Sequence, residues 1–269
     1  MTDTSQNAPA APRCAEDGLD TVKLFNMTIN NVDLDEFLAS LSGQIEAGTP
    51  GYAVTPNVDH VVEFDLNPEF REAYHDATYV LVDGTYILWA GRLFRKPFKQ
   101  KLSGSDMIYW LSEYAAKKGY SIFLLGAEEG VADAAAQVLL AKYPGLTVAG
   151  TYSPPFGFEK DEASNNQVIE RVRDSRADIC FVALGSPKQD LWSWRHHRAC
   201  GAKLCIGVGA SIDFVAGRVK RAPVWMQRAG LEWVWRIIQE PVRMGKRYLV
   251  RDAHFLVLLW REFRGGTGT

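Results

Sequence analysis

Short apolar runs alternate with amphipathic stretches along most of this chain, and this alternation limits the possible folds more than any other feature. Between residues 22 and 209 the runs are VKLFN, YAVT, YVLV, SIFLLG, LTVAG, DICFVAL and KLCIGVG. Most are apolar on both faces and are followed by a stretch of helical periodicity, as over residues 33–46. Strands of this kind indicate a parallel sheet with helices on both faces. Right-handed crossovers then predict an α/β fold with a Rossmann-like open, mostly parallel sheet.

The alternation stops near residue 218, where the sequence becomes helical, basic and aromatic. Residues 218–264 contain eleven Lys and Arg but only four Asp and Glu, a formal charge of +7. The whole chain carries −2, so the remaining residues carry −9. This asymmetry predicts that the C-terminal segment meets an anionic surface or ligand, while the overall balance argues against a nucleic-acid partner.

These observations divide the chain into four predicted parts. Residues 1–20 form a disordered leader, 21–217 an α/β domain that carries the candidate site, 218–264 a basic helical appendage and 265–269 a flexible tail. The leader lacks the apolar centre of a signal peptide, and the longest strongly apolar stretch, 255–260, is too short to span a bilayer. We therefore expect a cytoplasmic protein that binds the inner face of the cell membrane peripherally.

Polar residues and glycines that follow the apolar runs are the candidate site residues, because open parallel sheets bind ligands beyond the carboxyl ends of their strands. Five runs end in this way, which favours a nucleotide-type ligand. The candidates are Thr55 and Asn57 after YAVT, Asp83 after YVLV, Gly126 after SIFLL, the segment Gly185-Ser186-Pro187-Lys188-Gln189 after CFVAL, and Gly207, Gly209 and Asp213 after KLCI.

Asp83 is the carboxylate placed directly at a strand end with a glycine behind it. It can serve as a general base that removes a proton from an attacking hydroxyl. It can equally serve as the N-cap of the next helix. The pattern alone favours neither role.

Other patterns favour a structural explanation. Asp33-Leu-Asp35 has the spacing of metal-dependent sugar transferases but opens an amphipathic helix, and Gly104-Ser-Asp106 is typical of a helix start. His196-His197 lie beside arginines on a predicted surface helix and are expected to be solvated. Cys180 and Cys205 lie inside apolar runs, which predicts buried thiols.

Six stretches of the sequence resemble known sequence motifs, which are more specific than hydrophobic periodicity. They are TPNVDHV, LVDGTYILWAGRL, KLSGSDM, FLLGAEEGVADAA with KYPGL, FVALGSPKQDLW, and the long GVGASIDFVAGRVKRAPVWMQRAGLEWVWRIIQEPVRMGKRYL. Together they resemble the WecG/TagA/CpsF family of bacterial glycosyltransferases from about residue 22 to 250. The resemblance implies an inverting, metal-independent and cofactor-independent transfer of a sugar from a UDP-sugar to a polyprenyl-diphosphate-linked sugar in cell-surface polysaccharide synthesis.

The resemblance also implies roles for individual residues. Asp83 would be the catalytic base, with Thr55 and Asn57 in the same pocket and Gln189 contacting the substrate. For substrate binding, Asp213 would help to hold the nucleoside, and Arg236 and Arg243 would close over the diphosphate. Lys101 stands where the family often has arginine, which keeps the charge but not the bidentate geometry. The predicted substrate-binding set is completed by Gly126, Gly185, Pro187, Lys188 and Gly209.

Two other functions fit part of the pattern. A nucleotide-dependent oxidoreductase fits the sheet, but Gly207-Val208-Gly209 lacks the third glycine of GxGxxG because Ile212 stands there. A non-catalytic peripheral membrane protein fits the appendage. The residues do not decide which sugar is transferred. The aromatic appendage can pack against a second subunit, so the sequence is also compatible with a homo-oligomer.

Overall fold

A parallel sheet of six strands forms the centre of the protein. The computed structural model describes residues 13–15, 18–239 and 254–265. The sheet contains β3 (Gly51–Val54), β4 (Tyr79–Val80), β5 (Ser121–Gly126), β6 (Thr147–Tyr152), β7 (Ile179–Ala183) and β8 (Leu204–Gly207), after a separate hairpin of β1 (Thr21–Leu24) and β2 (Met27–Asn30). The strand order is β4-β3-β8-β7-β5-β6, and all neighbouring pairs are parallel.

Helices lie between the strands and after them. Those of the α/β part are α1 (Leu34–Glu46), α2 (Val58–Leu66), α3 (Pro68–His75), α4 (Thr85–Leu93), α5 (Gly104–Lys118), α6 (Val131–Lys142), α7 (Glu162–Ser175), α8 (Lys188–His196) and α9 (Ser211–Val215). The C-terminal helices are α10 (Val224–Arg228), α11 (Glu232–Gln239) and α12 (His254–Gly265). Two 3-10 turns, Arg13–Ala15 and Phe158–Lys160, complete the described elements.

Alternate strand residues enter two cores, one on each face of the sheet. Tyr52 and Val54 of β3 pack with α2, α3, α7 and α8, whereas Ala53 between them packs with α1, α5, α6 and α9. Burial on both faces explains why the strands read as continuous apolar runs. The predicted α/β fold, with a Rossmann-like parallel sheet and helices on both faces, is confirmed.

The hairpin differs from the sequence prediction, which had one strand before α1. Phe25 and Asn26 both adopt positive φ, 54° and 59°, and form a two-residue turn that pairs Leu24 with Met27. Turns of this kind usually contain glycine. Because this turn contains none, no pattern in the sequence predicts it. This turn contacts the last helix, α12, because the backbone N–H of Phe25 donates a hydrogen bond to the Glu262 carboxylate at 3.1 Å.

Several local expectations can be checked. Asp33 caps α1 through the amide of Glu36, so the Asp33-Leu-Asp35 pattern is a helix start, as expected. The helix after β5 begins at Val131, after a turn in which Ala127 and Gly130 have positive φ. Cys180 and Cys205 are buried thiols, as predicted, and Cys14 and Cys200 are buried thiols as well.

The expectation for His197 was wrong. Its side chain is buried, its ring lies 4.9 Å from that of Tyr52, and its Nδ1 faces the carbonyls of Ser193 and Trp194. His197 ends α8 on the side that faces the sheet, which adjacency to arginines in the sequence does not reveal.

The last helix packs against the α/β part. Phe255 and Leu258 of α12 join the core that contains α2, and His254 contacts Asp65 of α2 at 2.8 Å. Leu256, Trp260 and Phe263 form an exposed apolar face. The predicted boundary near residue 218 stays a prediction. Within the described part of the chain, no helix has the length and apolarity needed to cross a bilayer.

Candidate active site

A cavity of about 950 Å³ opens at the carboxyl ends of β5 to β8. The chain leaves β5 outward to β6 but leaves β7 in the opposite direction, to β8. Ligands of open α/β sheets bind at such a switch point. The loop 153–159 lines this cavity, and so do Glu232, Trp235, Arg236 and Gln239 of α11.

Four of the residues predicted to bind substrate line this cavity. They are Gly126, Lys188, Asp213 and Arg236. Lys188 forms an ion pair with Glu159 and lies 4.4 Å from the centre of the Phe156 ring. The Arg236 guanidinium lies 5.8 Å from the Phe214 ring centre. Two of the predicted cations therefore line the same cavity.

Thr55, Asn57 and Asp83 form a second group at the ends of β3 and β4. The Asp83 N–H donates to Pro56 at 3.0 Å, which joins the two strand-end loops. The N-cap of α4 is Gly84, and no side chain caps that helix. The N-cap explanation of Asp83 is therefore wrong.

The Asp83 carboxyl is half-buried and lies among charged groups. Loss of solvation raises its pKa to about 7; Lys101 and Arg236 lower this pKa, while Glu232 and Asp106 raise it. Glu232 and Arg236 also line the cavity, and Lys101 pairs with Glu232 at 3.8 Å. Asp83 and the cavity thus share one set of charges, and a carboxyl with this pKa suits proton transfer near neutral pH.

Thr55 and Asn57 make contacts within the protein. The Thr55 hydroxyl donates to the carbonyl of Gly207 at 3.5 Å, and its side chain is buried. The Asn57 side chain caps α2 by accepting the amides of Asp59 and His60. These contacts hold the β3 loop beside Asp83.

Gln189 holds the β8 turn. Its side-chain oxygen accepts the N–H of Gly209 at 3.0 Å, and the side chain is only 3% exposed. A Cβ at Gly207 would lie 2.7 Å from the Gln189 amide nitrogen, so a side chain there would displace the Gln189 amide. The backbone N–H of Gln189 donates a hydrogen bond to the Gly185 carbonyl, which fixes the start of α8.

The remaining predicted residues lie in the same loops or outside the described residues. Gly185 and Gly209 have φ of 74° and 54°, values that favour glycine, and Pro187 precedes α8. Arg243 lies outside the described residues. Among the described residues, no group of three or more His, Cys, Asp or Glu is arranged to hold a metal ion.

Sequence reasoning missed the loop 153–159 and the pair Asp106 and Arg221. The loop SPPFGFE follows β6, and applying the strand-end rule to that run as well would have found it. Arg221 lines the cavity and donates to Asp106 at 2.6 Å, a contact between residues 115 positions apart. A pairing of this range leaves no local signal.

Comparison with known proteins decides the family. The model of the glycosyl transferase WecG/TagA/CpsF family matches residues 22–268. The chain belongs to this family. It is a glycosyltransferase, which sets aside the oxidoreductase and non-catalytic alternatives.

Relatives of this glycosyltransferase have more specific names. An N-acetylglucosaminyldiphosphoundecaprenol N-acetyl-beta-D-mannosaminyltransferase of Bacillus spizizenii is 29% identical over 221 residues, which is 80% of this chain and 84% of the relative. A protein of the same name from Staphylococcus aureus is 28% identical over 195 residues, covering 72% and 74% of the two chains.

Proposed function

We propose that this glycosyltransferase moves a sugar from a UDP-sugar to a polyprenyl-diphosphate-linked sugar, with inversion and without a metal ion, in cell-surface polysaccharide synthesis. The names of its relatives support a lipid-linked acceptor and an N-acetylmannosamine-type sugar. The observation that carries the proposal is Asp83, whose raised pKa and shared charges connect it to a cavity of nucleotide-sugar size.

The cavity suits the donor. It lies at the switch point of the sheet, where nucleotides bind in folds of this kind. Asp213 lines it and is the residue assigned to the nucleoside, while Lys188 and Arg236 supply positive charge for the diphosphate. The large exposed ring of Phe156 stands at its rim.

Asp83 suits the transfer step. The acceptor hydroxyl oxygen forms a bond to the anomeric carbon while the bond from that carbon to the diphosphate oxygen breaks, and UDP leaves with the electron pair. The hydroxyl proton passes to the Asp83 carboxylate. One base is sufficient for this single displacement, which inverts the anomeric carbon.

Positive side chains suit a reaction without a metal. The departing diphosphate needs charge stabilisation, which fixed cations in a partly dry site supply. Lys188 and Arg236 line the cavity, Lys101 acts on Asp83, and Arg243 is assigned the same task by family resemblance.

The lipid-linked acceptor and the charge of the C-terminal segment support a location on the cytoplasmic face of the membrane. Residues 218–264 carry +7, and basic residues near an anionic leaflet contribute about 1 kcal/mol each. The exposed face of Leu256, Trp260 and Phe263 can enter the interface between headgroups and acyl chains.

The proposal is tested by incubating the purified chain with a synthetic polyprenyl-diphosphate N-acetylglucosamine and a panel of UDP-sugars, with and without EDTA. We expect transfer from one donor, an inverted anomeric centre by NMR, and unchanged rates in EDTA. Transfer with retention would refute the single displacement. Strict dependence on Mg²⁺ or Mn²⁺ would refute metal independence, and no transfer from the whole panel would refute the donor class.

A further inference from the structure

Arg221 has a more fixed position than the other cations described above. Its Nη1 donates to Asp106 Oδ1 at 2.6 Å, and the second oxygen of Asp106 accepts the Ser103 hydroxyl at 2.7 Å. Asp106 lies in the first turn of α5 and Ser103 is the N-cap of that helix. The carboxylate that holds Arg221 is therefore itself held by a helix of the α/β part.

Arg221 lines the cavity, and most N–H donors of its guanidinium have no acceptor among the described residues. A guanidinium has five N–H donors, and the structure commits one of them to Asp106. The Nε atom is buried and has no acceptor among the described residues. Lys188 also lines the cavity and is paired with Glu159, and the Arg236 guanidinium lies over the Phe214 ring.

Arg221 also lies within the electrostatic range of the proposed base. Burial alone would lower the pKa of Arg221. The hydrogen bond and charge of Asp106, together with the charges of Glu232 and Asp83, raise this pKa by more, so its net shift is upward. Arg221 is thus a permanent cation that lines the cavity and also interacts with the charge of Asp83. In the proposed reaction the donor diphosphate lies in this cavity, and the anomeric carbon lies between the diphosphate and the base.

We propose that Arg221 binds the diphosphate of the donor, and that Asp106 and Ser103 are the positioning residues that orient it. This proposal rests on the proposed UDP-sugar function. When the bond from the anomeric carbon to the diphosphate oxygen breaks, the electron pair stays on that oxygen, and the N–H groups of Arg221 stabilise the charge without transferring a proton. An arginine oriented in advance suits this task, because planar donors match phosphate oxygens.

The test compares equilibrium binding of UDP and of uridine to the full chain by calorimetry. We expect Arg221→Gln to weaken UDP binding by about 10- to 100-fold, the equivalent of a lost hydrogen bond between charged groups, and to leave uridine binding unchanged. Arg221→Lys should lose less, because it keeps the charge. The matched control is Arg195→Gln, which breaks an exposed ion pair with Glu69 on α3, and it should bind both ligands as the wild type does.

The double variant Arg221→Gln/Asp106→Asn removes both charges and leaves no uncompensated carboxylate, so it separates the role of Arg221 from a folding defect. It should show the same selective loss of UDP affinity at an unchanged melting temperature. Equal losses for UDP and uridine, or no loss, would refute the role of Arg221 and leave the donor class intact. A wild-type chain that binds neither ligand would refute the donor class together with this proposal.

Discussion

Lys101 and Glu232 form an ion pair at 3.8 Å that joins the loop after α4 to the first turn of α11. Both charges act on Asp83, Lys101 lowering its pKa and Glu232 raising it. The pair therefore brings the C-terminal segment into the electrostatics of the proposed base. The segment does more than line the cavity, because its charges also influence the pKa of Asp83, which follows β4.

This pair predicts two opposite shifts in the pH dependence of transfer. The proposed base works when deprotonated, so kcat/KM of the wild type should rise with pH and level off above an apparent pKa of about 7. Glu232→Gln removes a negative charge and should move the midpoint to lower pH. Lys101→Met removes a positive charge and should move it to higher pH. Shifts of the same sign in rate profiles from pH 5 to 9 would contradict this assignment.

Asp83→Asn should reduce kcat by about 10²- to 10⁴-fold, because the amide cannot accept the hydroxyl proton. UDP binding should be retained, because Asp83 lies beside the cavity rather than in its lining. Asp174→Asn, an exposed change on α7, is the matched control and should leave kcat unchanged. A variant at position 83 with near-normal turnover would rule Asp83 out as the base.

The sequence predicts some of these relationships and hides others, for physical reasons. Burial on both faces makes most strands of the sheet visible as apolar runs, and the strand-end rule then finds Asp83 and Asp213. The order that places β8 between β3 and β7 is set by contacts between distant segments, so no local pattern encodes it. The pairing of Arg221 with Asp106 is hidden for the same reason.

Asp190 should make the protein less stable as the pH rises from about 4 to 7. Burial raises its pKa from 3.8 to about 7, and Oδ2 lies 3.9 Å from His60 Nε2. In that pH range the unfolded chain releases a proton that the folded protein keeps, so the free energy of unfolding falls with increasing pH. Asp190→Asn should reduce the difference between urea melts at pH 5 and pH 8. An undiminished difference would show that Asp190 is not responsible.

Gly126→Ala and Gly130→Ala should differ in their cost. Both positions have positive φ, 106° and 77°, which costs a residue with a Cβ about 1–2 kcal/mol. A Cβ at Gly130 meets nothing within 4 Å, whereas one at Gly126 lies within van der Waals overlap of the main-chain oxygen of Ala183. Gly126→Ala should therefore lose about 1–3 kcal/mol more in chemical denaturation. It should also weaken UDP binding, because Gly126 lines the cavity. Equal losses of stability would contradict the close packing of β5 on β7.

The exposed face of α12 should contribute to membrane binding. Trp260 and Phe263 are 56% and 64% exposed, although the opposite side of the helix is packed against α2. Transfer of such side chains from water into the interface is favourable by an amount that scales with their buried apolar area. Trp260→Ser/Phe263→Ser should therefore weaken co-sedimentation with anionic vesicles by about tenfold or more.

The control, Val138→Ser/Leu140→Ser on α6, also removes exposed apolar side chains and should bind vesicles as the wild type does. Equal vesicle binding by the α12 variant and the wild type would leave the basic charge of residues 218–264 as the source of membrane affinity, and raising the salt concentration should then abolish it.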